Sequence, residues 1–441
     1  MFELLASWLL GPWSPPKDMP VLRSSPLSEW LDQTPLPVLM EPSYTPDPKA
    51  IAALNSYLET LERLGFDLSQ QGIWLQTDAQ IWATHQGSTA LPAASLTKLV
   101  TSLAALATWG TEHRFETLIS TTGTITNGVL LGDLIIEGGG DPLYVWEEAI
   151  ALANALQQMG IQRIEGDLHI VGHFSMNYED SPIKSGTLLK QAFNATLWPP
   201  EATQQYRTMP PGTPKPNLSI AGTVHLTSQN TLSSRQLLPL LRQYSLPLAQ
   251  LLKLMNIYSN NVMAQTLADL MGGANQVAQI AAQITHVSPS EIQLINGSGL
   301  GTENQISPRA VCRILMALHQ QVAGTSWSLA DLLPVSGRDV GTLEGRNIPT
   351  AAAVKTGSLW NVSALAGAFP TQDREVVWFT IINRGANLDG LRRQQDQLLN
   401  TLVQDWGSVA ILPPPLKPGQ ESLKPENQLG ASSRIQPVAL P

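Results

Sequence analysis

One cysteine, Cys312, in 441 residues leaves no disulfide framework and no cysteine-rich metal site. It falls in the helical pattern 310–318, where a small apolar side chain belongs to a core. Charge is scarce as well: 14% of residues are Asp, Glu, Lys or Arg, against roughly 25% in ordinary globular domains. The net charge of -9 gives no basic surface, which excludes nucleic acid as a partner. Seven histidines never form an H-E-x-x-H pair. His169 and His173 lie four apart, but on what reads as a strand ending in glycine, so neither a metal nor a cofactor is expected. The apolar start, residues 1–13, is too short to span a bilayer. It holds Glu3, has no Lys or Arg before Lys17 and shows no small-residue cleavage site. A weak export signal and a helix that associates weakly with a membrane surface both fit it.

What is present is a large apolar fraction, 43%, in a chain too long for one ordinary domain. Residues 1–48 read as the apolar start followed by a Pro-rich linker. Helical periodicity covers 50–64, and 72–87 reads as a hairpin. From 115 the character changes to short β-branched runs, 117–122, 129–137 and 166–171, punctuated by glycine, with one amphipathic helix at 144–159. Residues 182–216 read as loop and 218–227 as a further strand. Helical sequence resumes at 236–242, and 247–271 is helical on both sides of Ser259. A helix over 308–319, strands at 354–358, 364–369 and 375–383, and a closing helix over 388–406 follow. The pattern predicts a main domain from 49–114 and 236–412, an inserted, mostly β subdomain at 115–235, and a disordered Pro-rich tail at 413–441.

One stretch carries chemistry. In Pro92-Ala-Ala-Ser95-Leu-Thr-Lys98, leading into an apolar helix, Ser95 and Lys98 are three apart and project from one face of the first turn. A serine at a helix start beside an amine that can take its proton is a poised nucleophile. Ser-x-x-Lys also occurs at Ser14–Lys17 and Ser181–Lys184, both in Pro-containing, turn-like sequence where no helix is expected to align the pair. Two later stretches single out Ser95: Ser259-Asn260-Asn261 between two helical patterns, and Lys355-Thr356-Gly357-Ser358 on a strand. Other matches, Ser175–Asn177, Ser228–Asn230 and Lys184-Ser185-Gly186, lack that helix or strand context.

Ser-x-x-Lys, Ser-x-Asn and Lys-Thr-Gly in this order form the signature shared by serine β-lactamases and penicillin-binding proteins. Further blocks, Gly138-Gly-Gly-Asp141-Pro142, Asn296-Gly-Ser-Gly-Leu300, Leu333-Pro-Val-Ser-Gly337 and 355–367, extend the match over about 50–410. The chain resembles the D-alanyl-D-alanine carboxypeptidases of the low-molecular-mass class C penicillin-binding proteins, the S13 serine peptidases. That resemblance implies an α+β, β-lactamase-like transpeptidase fold: an antiparallel sheet flanked by helices, with an insertion between the first two motifs. It implies that Ser95 is acylated by a terminal D-Ala-D-Ala bond with Lys98 as base and Ser259 as proton relay. Asn261, Lys355, Thr356 and Gly357 would then bind substrate, and the N–H groups of Ser95 and Ser358 would form an oxyanion hole. Departures from the family pattern are Asn296 for an acidic residue, Gly301-Thr302 for Ser-Arg, Gln265 for an acidic residue, and a shorter insertion.

The expected partners are peptidoglycan stem peptides and, as covalent inhibitors, β-lactam antibiotics. The expected location is periplasmic, from the chemistry rather than from residues 1–13. DD-endopeptidase action uses the same groups. Two other readings are a β-lactamase, for which no Glu-x-x-Leu-Asn segment precedes Lys355, and a catalytically silent wall-binding scaffold, which has no need of Lys98.

Overall fold

A computed structural model of the chain describes residues 41–232 and 236–438. The expectations for 1–40, including the Ser14–Lys17 pair, lie outside those residues. The chain is α+β and folds as two compact units: 41–111 with 248–420, and 112–247 with 421–438. Among the described residues no helix is long and apolar enough to cross a membrane.

The first unit is built on a six-stranded sheet in the order Ser43–Tyr44, Gln80–His85, Gln71–Gln76, Glu375–Arg384, Val362–Thr371, Ala353–Leu359. All neighbours are antiparallel except the first pair. The central strands are apolar at nearly every position because helices cover both faces. On one face Val377, Phe379 and Ile381 join Leu54, Tyr57 and Leu61 of helix Pro48–Arg63 and Leu398, Leu402 and Trp406 of helix Leu388–Trp406. Each such buried side chain contributes about 1.5–3 kcal/mol. The opposite face carries helix Pro308–Val322, where Cys312 Sγ lies 3.2 Å from Thr380 Oγ1. Strand parity then fixes one functional side chain. Lys355 pairs with Ala366, and Ala366 with Thr380, so Lys355 projects from the Thr380 face.

Helix Thr97–Trp109 packs against helix Pro308–Val322 and is buried continuously from Thr97 to Ala107. Its apolar residues run around the whole circumference, as a helix at the centre of a unit requires. Side chains cap the starts of two of these helices, the first beginning at Pro48, two residues ahead of the pattern read from sequence. Asp47 and Ser307 cap, each accepting a backbone N–H three residues on, with proline at the next position. Gly110, at φ 77°, ends the Thr97 helix.

The second unit contains a six-stranded sheet in the order Val224–Leu226, Leu168–His173, Leu134–Gly139, Glu116–Thr121, Leu238–Tyr244, Ile435–Pro437. A four-stranded sheet, Ser219–Ile220, Arg163–Ile164, Val129–Leu131, Thr124–Thr126, completes it. Ile119, Leu134, Ile136, Leu168 and Ile170 pack with Ile150 and Leu156 of helix Trp146–Gln158. Sequence readings change here, each for a physical reason. The runs 129–137 and 218–227 are each two strands, broken at Gly132-Asp133 and Gly222-Thr223, and 166–171 begins on the equivalent corner, Gly166-Asp167, with its strand running from Leu168 to His173. The corners stack so closely that a Cβ on Gly166 would sit 2.4 Å from the Gly132 carbonyl oxygen, and one on Gly222 would sit 2.4 Å from that of Gly166.

Residues 182–216 are not all loop. Helices Pro182–Ala192 and Pro200–Tyr206 each begin on a proline, which starts a helix at its first turn as readily as it breaks one later. Ser181, in sequence where no helix is expected to follow, caps the first of these. Its Lys184 is exposed and lies 3.9 Å from Glu179. The apolar run at 236–242 is strand Leu238–Tyr244, since so short a run carries no decisive period. The tail, expected to be disordered, forms 3-10 turns and an edge strand, Ile435–Pro437, antiparallel to 241–243. Buried Arg434 ties it to buried Glu148.

The helix that carries Glu148 also buries Glu147, whose Oε2 has no hydrogen-bond partner. Burial, with the charge of Glu148 beside it, pushes the Glu147 carboxyl up to about 7. A folded pKa above the unfolded value means that the native state holds the extra proton. The resulting stability is fully present below about pH 4.5 and is lost as pH rises through about 7. Glu147→Gln, which is neutral at every pH, is expected to stabilise the protein by about 1–3 kcal/mol at pH 8 and to change little at pH 4. Melting curves across that range check this; equal pH slopes for variant and wild type would contradict it.

Candidate active site

Ser95 lies in the 3-10 turn Ala94–Leu96 that opens into helix Thr97–Trp109. The turn is held in an uncommon conformation, with Ala94 at φ 47°. It sits between two glycines. A Cβ on Gly357 would lie 2.9 Å from the Ala93 carbonyl oxygen and 3.1 Å from the Ser95 nitrogen. A Cβ on Gly299 would lie 1.9 Å from the Ala94 carbonyl oxygen. Only side-chain-free backbone lets the Lys355 strand and the 296–301 turn close on Ser95 from either side.

Lys98, one turn on, is fully buried. Its Nζ is 3.1 Å from Ser95 Oγ, 2.7 Å from Asn261 Oδ1 and 2.6 Å from the Ser298 carbonyl oxygen. Burial drives its pKa well below that of an ordinary lysine, and the positive charge of Lys355 pushes the same way. Lys355 is also fully buried; burial brings it down to about 7. Its Nζ donates to Ser259 Oγ at 3.0 Å and to the Thr356 carbonyl at 2.8 Å.

Ser259 occupies the junction between helices Leu248–Tyr258 and Asn261–Leu270, at φ 53°. Asn260 caps the second helix through Met263 N–H, so Asn261 enters its first turn and reaches Lys98. Thus hydrogen bonds join Ser95, Lys98 and Asn261 in one group and Ser259 and Lys355 in another, and the charge of Lys355 is felt at Lys98. Thr356 is buried and Gly357 faces the Ser95 turn. Ser358 is exposed, its Oγ accepting from Arg392 Nη2 at 3.0 Å. The strand 353–359 is the last of its sheet, and among the described strands no other pairs with it beyond Val362–Thr371 and the bridge at Ala353.

Residues to which the sequence reading gives no catalytic or binding role sit in direct support. The 296–301 turn supplies the Ser298 carbonyl to Lys98. Asn296 Oδ1 accepts the N–H groups of Ser298 and Gly299, and Gln265 Oε1 accepts that of Gly297. Both positions depart from the family's acidic pattern, and both hold the turn as neutral acceptors. Thr101 on the Ser95 helix donates to the Gly297 carbonyl at 2.7 Å. No residue-type signal marks a backbone carbonyl as a ligand, but the spacing Asn296-Gly-Ser-Gly does mark the turn. Arg392 carries no sequence signal at all.

Comparison with known proteins places the chain in a family. The sequence profile of the D-Ala-D-Ala carboxypeptidase 3 (S13) family matches residues 51–180 and 217–404. The D-alanyl-D-alanine carboxypeptidase DacB of Haemophilus influenzae is 38% identical over 89 residues, 20% of this chain and 19% of that protein. Carboxypeptidase DacB of Mycolicibacterium smegmatis is 29% identical over 164 residues, 33% of this chain and 35% of that protein. The chain therefore spans about a fifth and about a third of the length of these curated relatives. The penicillin G-acylated predatory endopeptidase of Bdellovibrio bacteriovorus, solved with its immunity protein, shares the fold. Its TM-score is 0.70 at 21% identity, over 84% of this chain and 100% of that one. With the family profile matching well over half of the chain, Ser95, Ser259 and Lys355 included, the chain belongs to the D-Ala-D-Ala carboxypeptidase 3 (S13) family.

Proposed function

We propose that the protein is a serine D-Ala-D-Ala carboxypeptidase of peptidoglycan metabolism that also cleaves cross-links as a DD-endopeptidase, acting through an acyl-enzyme on Ser95. The observation that carries this reading is the set of partners around Lys98. Asn261 Oδ1 and the Ser298 carbonyl can only accept, so they take two hydrogens of the amine. In the neutral form that burial favours, the lone pair then faces Ser95 Oγ. Lys98 is thereby a base aimed at one hydroxyl.

Ser95 Oγ attacks the carbonyl carbon of the penultimate D-Ala as its proton passes to Lys98 Nζ. The oxyanion forms between the N–H groups of Ser95 and Ser358. As the C–N bond breaks, the proton taken up by Lys98 passes through Ser259 Oγ to the departing D-Ala amine. Water then hydrolyses the ester and Ser95 regains its proton. The terminal carboxylate binds Lys355 and Thr356, Asn261 meets the substrate amide, and the substrate backbone lies along the open edge at Gly357. A β-lactam takes the same path to acylation, but its amine stays tethered. The division into a peptidase domain with an insertion at 115–235, and a periplasmic location, belong to the same proposal. The carboxypeptidase names of the curated relatives and the penicillin-acylated neighbour support it. Release of D-Ala from a pentapeptide ending in D-Ala-D-Ala tests the activity, and cleavage of a cross-linked dimer tests the endopeptidase arm. Failure to cleave either substrate would contradict the proposal.

The Lys355 pKa of about 7 sets a pH signature. In the free enzyme Lys355 loses its charge above that pH, so kcat/KM for a substrate with a terminal carboxylate is expected to fall roughly tenfold per pH unit beyond it. A bound carboxylate raises the Lys355 pKa, so kcat stays high further into the alkaline range. Steady-state profiles check this; a kcat/KM still rising at pH 9 would contradict carboxylate capture by Lys355.

A further inference from the structure

We propose that Asp133, Asp167 and His169 form a binding site for a first-row divalent transition metal, with Zn2+ as the reference ion, at the glycine corners of the second unit. The site is independent of the reading of Ser95.

Three corners repeat one pattern: Gly132-Asp133-Leu134-Ile135, Gly166-Asp167-Leu168-His169 and Gly222-Thr223-Val224-His225. Parallel pairing sets Leu134, Leu168 and Val224 side by side, and the next positions, Ile135, His169 and His225, likewise. The two aspartates therefore stack at the strand starts with two imidazoles beside them. One ligand atom each from Asp133, Asp167 and His169 all lie within 4.8 Å of one another.

The spacing of these ion pairs is also one that the ligands of a metal ion adopt. His169 Nε2 is 3.5 Å from Asp133 Oδ2, and His225 Nε2 is 3.4 Å from Asp167 Oδ2. N–H···O bonds run at about 2.7–3.2 Å. Two atoms each about 2.1 Å from a tetrahedral ion stand about 3.4 Å apart. The outer contacts turn these atoms inward. Asp133 Oδ1 accepts Asp167 N–H at 3.0 Å, and Asp167 Oδ1 accepts Thr223 N–H at 2.6 Å. His169 Nδ1 is fixed by Thr227 Oγ1 at 2.7 Å, which directs Nε2 at the carboxylates. A metal-bound imidazole is characteristically held this way through its other nitrogen. His169 is buried while the carboxylates are partly exposed, so an ion can enter from their side. The His225 ring stacks on His169 at 5.4 Å between centroids and offers a nearby fourth donor.

One imidazole with two carboxylates suits Zn2+, Co2+ or Ni2+ better than Mg2+, which favours oxygen ligands alone. His173, four residues along the strand, contributes no atom to the cluster. The His169–His173 spacing reads as a non-site in sequence because the other ligands come from neighbouring strands.

The test is calorimetric titration of the metal-stripped full-length protein with Zn2+ at pH 7.5, with Co2+ absorption as a second readout. Expected are one Zn2+ per chain, a visible Co2+ band, and no displacement by millimolar Mg2+. His169→Gln and Asp167→Asn are each expected to weaken Zn2+ by more than about tenfold and to abolish the Co2+ band. Ser95→Ala should bind Zn2+ as wild type does. Circular dichroism of the metal-free variants checks that they fold. If they do not, the wild-type stoichiometry and Co2+ spectrum decide the matter. No saturable Zn2+ binding, equal competition by Mg2+, or binding untouched by substitution in folded variants would overturn the proposal.

Discussion

Ser95→Ala is expected to abolish release of D-Ala and all covalent labelling by β-lactams, while the protein keeps its fold. The substitution removes one oxygen from a half-buried position at a helix start. The turn around it is held by backbone contacts to Gly299 and Gly357 rather than by the hydroxyl. Lys98 retains Asn261 and the Ser298 carbonyl, so the buried amine is not stranded. The melting temperature should therefore stay within about 2 °C of wild type, as expected when no buried group loses its last partner. D-Ala release near the wild-type rate would end the assignment of Ser95 as nucleophile. Loss of both activity and the melting transition would show instead that the hydroxyl is structural.

Lys98→Ala is expected to slow acylation by about 10²–10⁴-fold, the range for losing a positioned general base. Non-covalent capture of substrate changes far less, because the carboxylate anchor, Lys355, remains. Pre-steady-state β-lactam kinetics separates the two: the acylation rate constant should drop while the dissociation constant of the initial complex holds within a few-fold. Equal losses in both would mean that Lys98 shapes the site rather than taking the proton. The charge coupling gives a second check. Lys355 pushes the Lys98 pKa down, so Lys355→Ala should move the acid limb of acylation to higher pH.

Most of this site is legible in the amino-acid sequence. Ser95 with Lys98, Ser259 with Asn261, and Lys355 through Ser358 are each recognisable because local pattern and local context agree: an apolar helix, a helix junction, a strand. What sequence does not show is closeness between backbones. The Ser298 carbonyl on Lys98 and the contacts of Gly299 and Gly357 with the Ser95 turn depend on elements brought together across roughly half the chain. Arg392 reaches Ser358 from a helix whose exposed face reads as ordinary surface. Sequence misleads about the fold where one residue type serves two purposes. Pro182 and Pro200 start helices in a stretch that reads as loop, and Gly132 and Gly222 turn corners inside what read as continuous strands. The tail reads as disordered from its prolines and lack of pattern. Its order comes from scattered contacts, among them the buried Arg434–Glu148 pair, the bond from Gly430 N–H to Glu148 and the ladder to 241–243, none of which is periodic.

The central claim is that Ser95 forms an acyl-enzyme, and intact mass after incubation with benzylpenicillin, followed by peptide mapping, tests it most directly. The account predicts a mass increase of one penicilloyl group, located on the peptide that carries Ser95 and absent from Ser95→Ala. An unmodified protein beside intact antibiotic would contradict it in favour of a silent scaffold. An unmodified protein beside hydrolysed antibiotic would contradict it in favour of a β-lactamase.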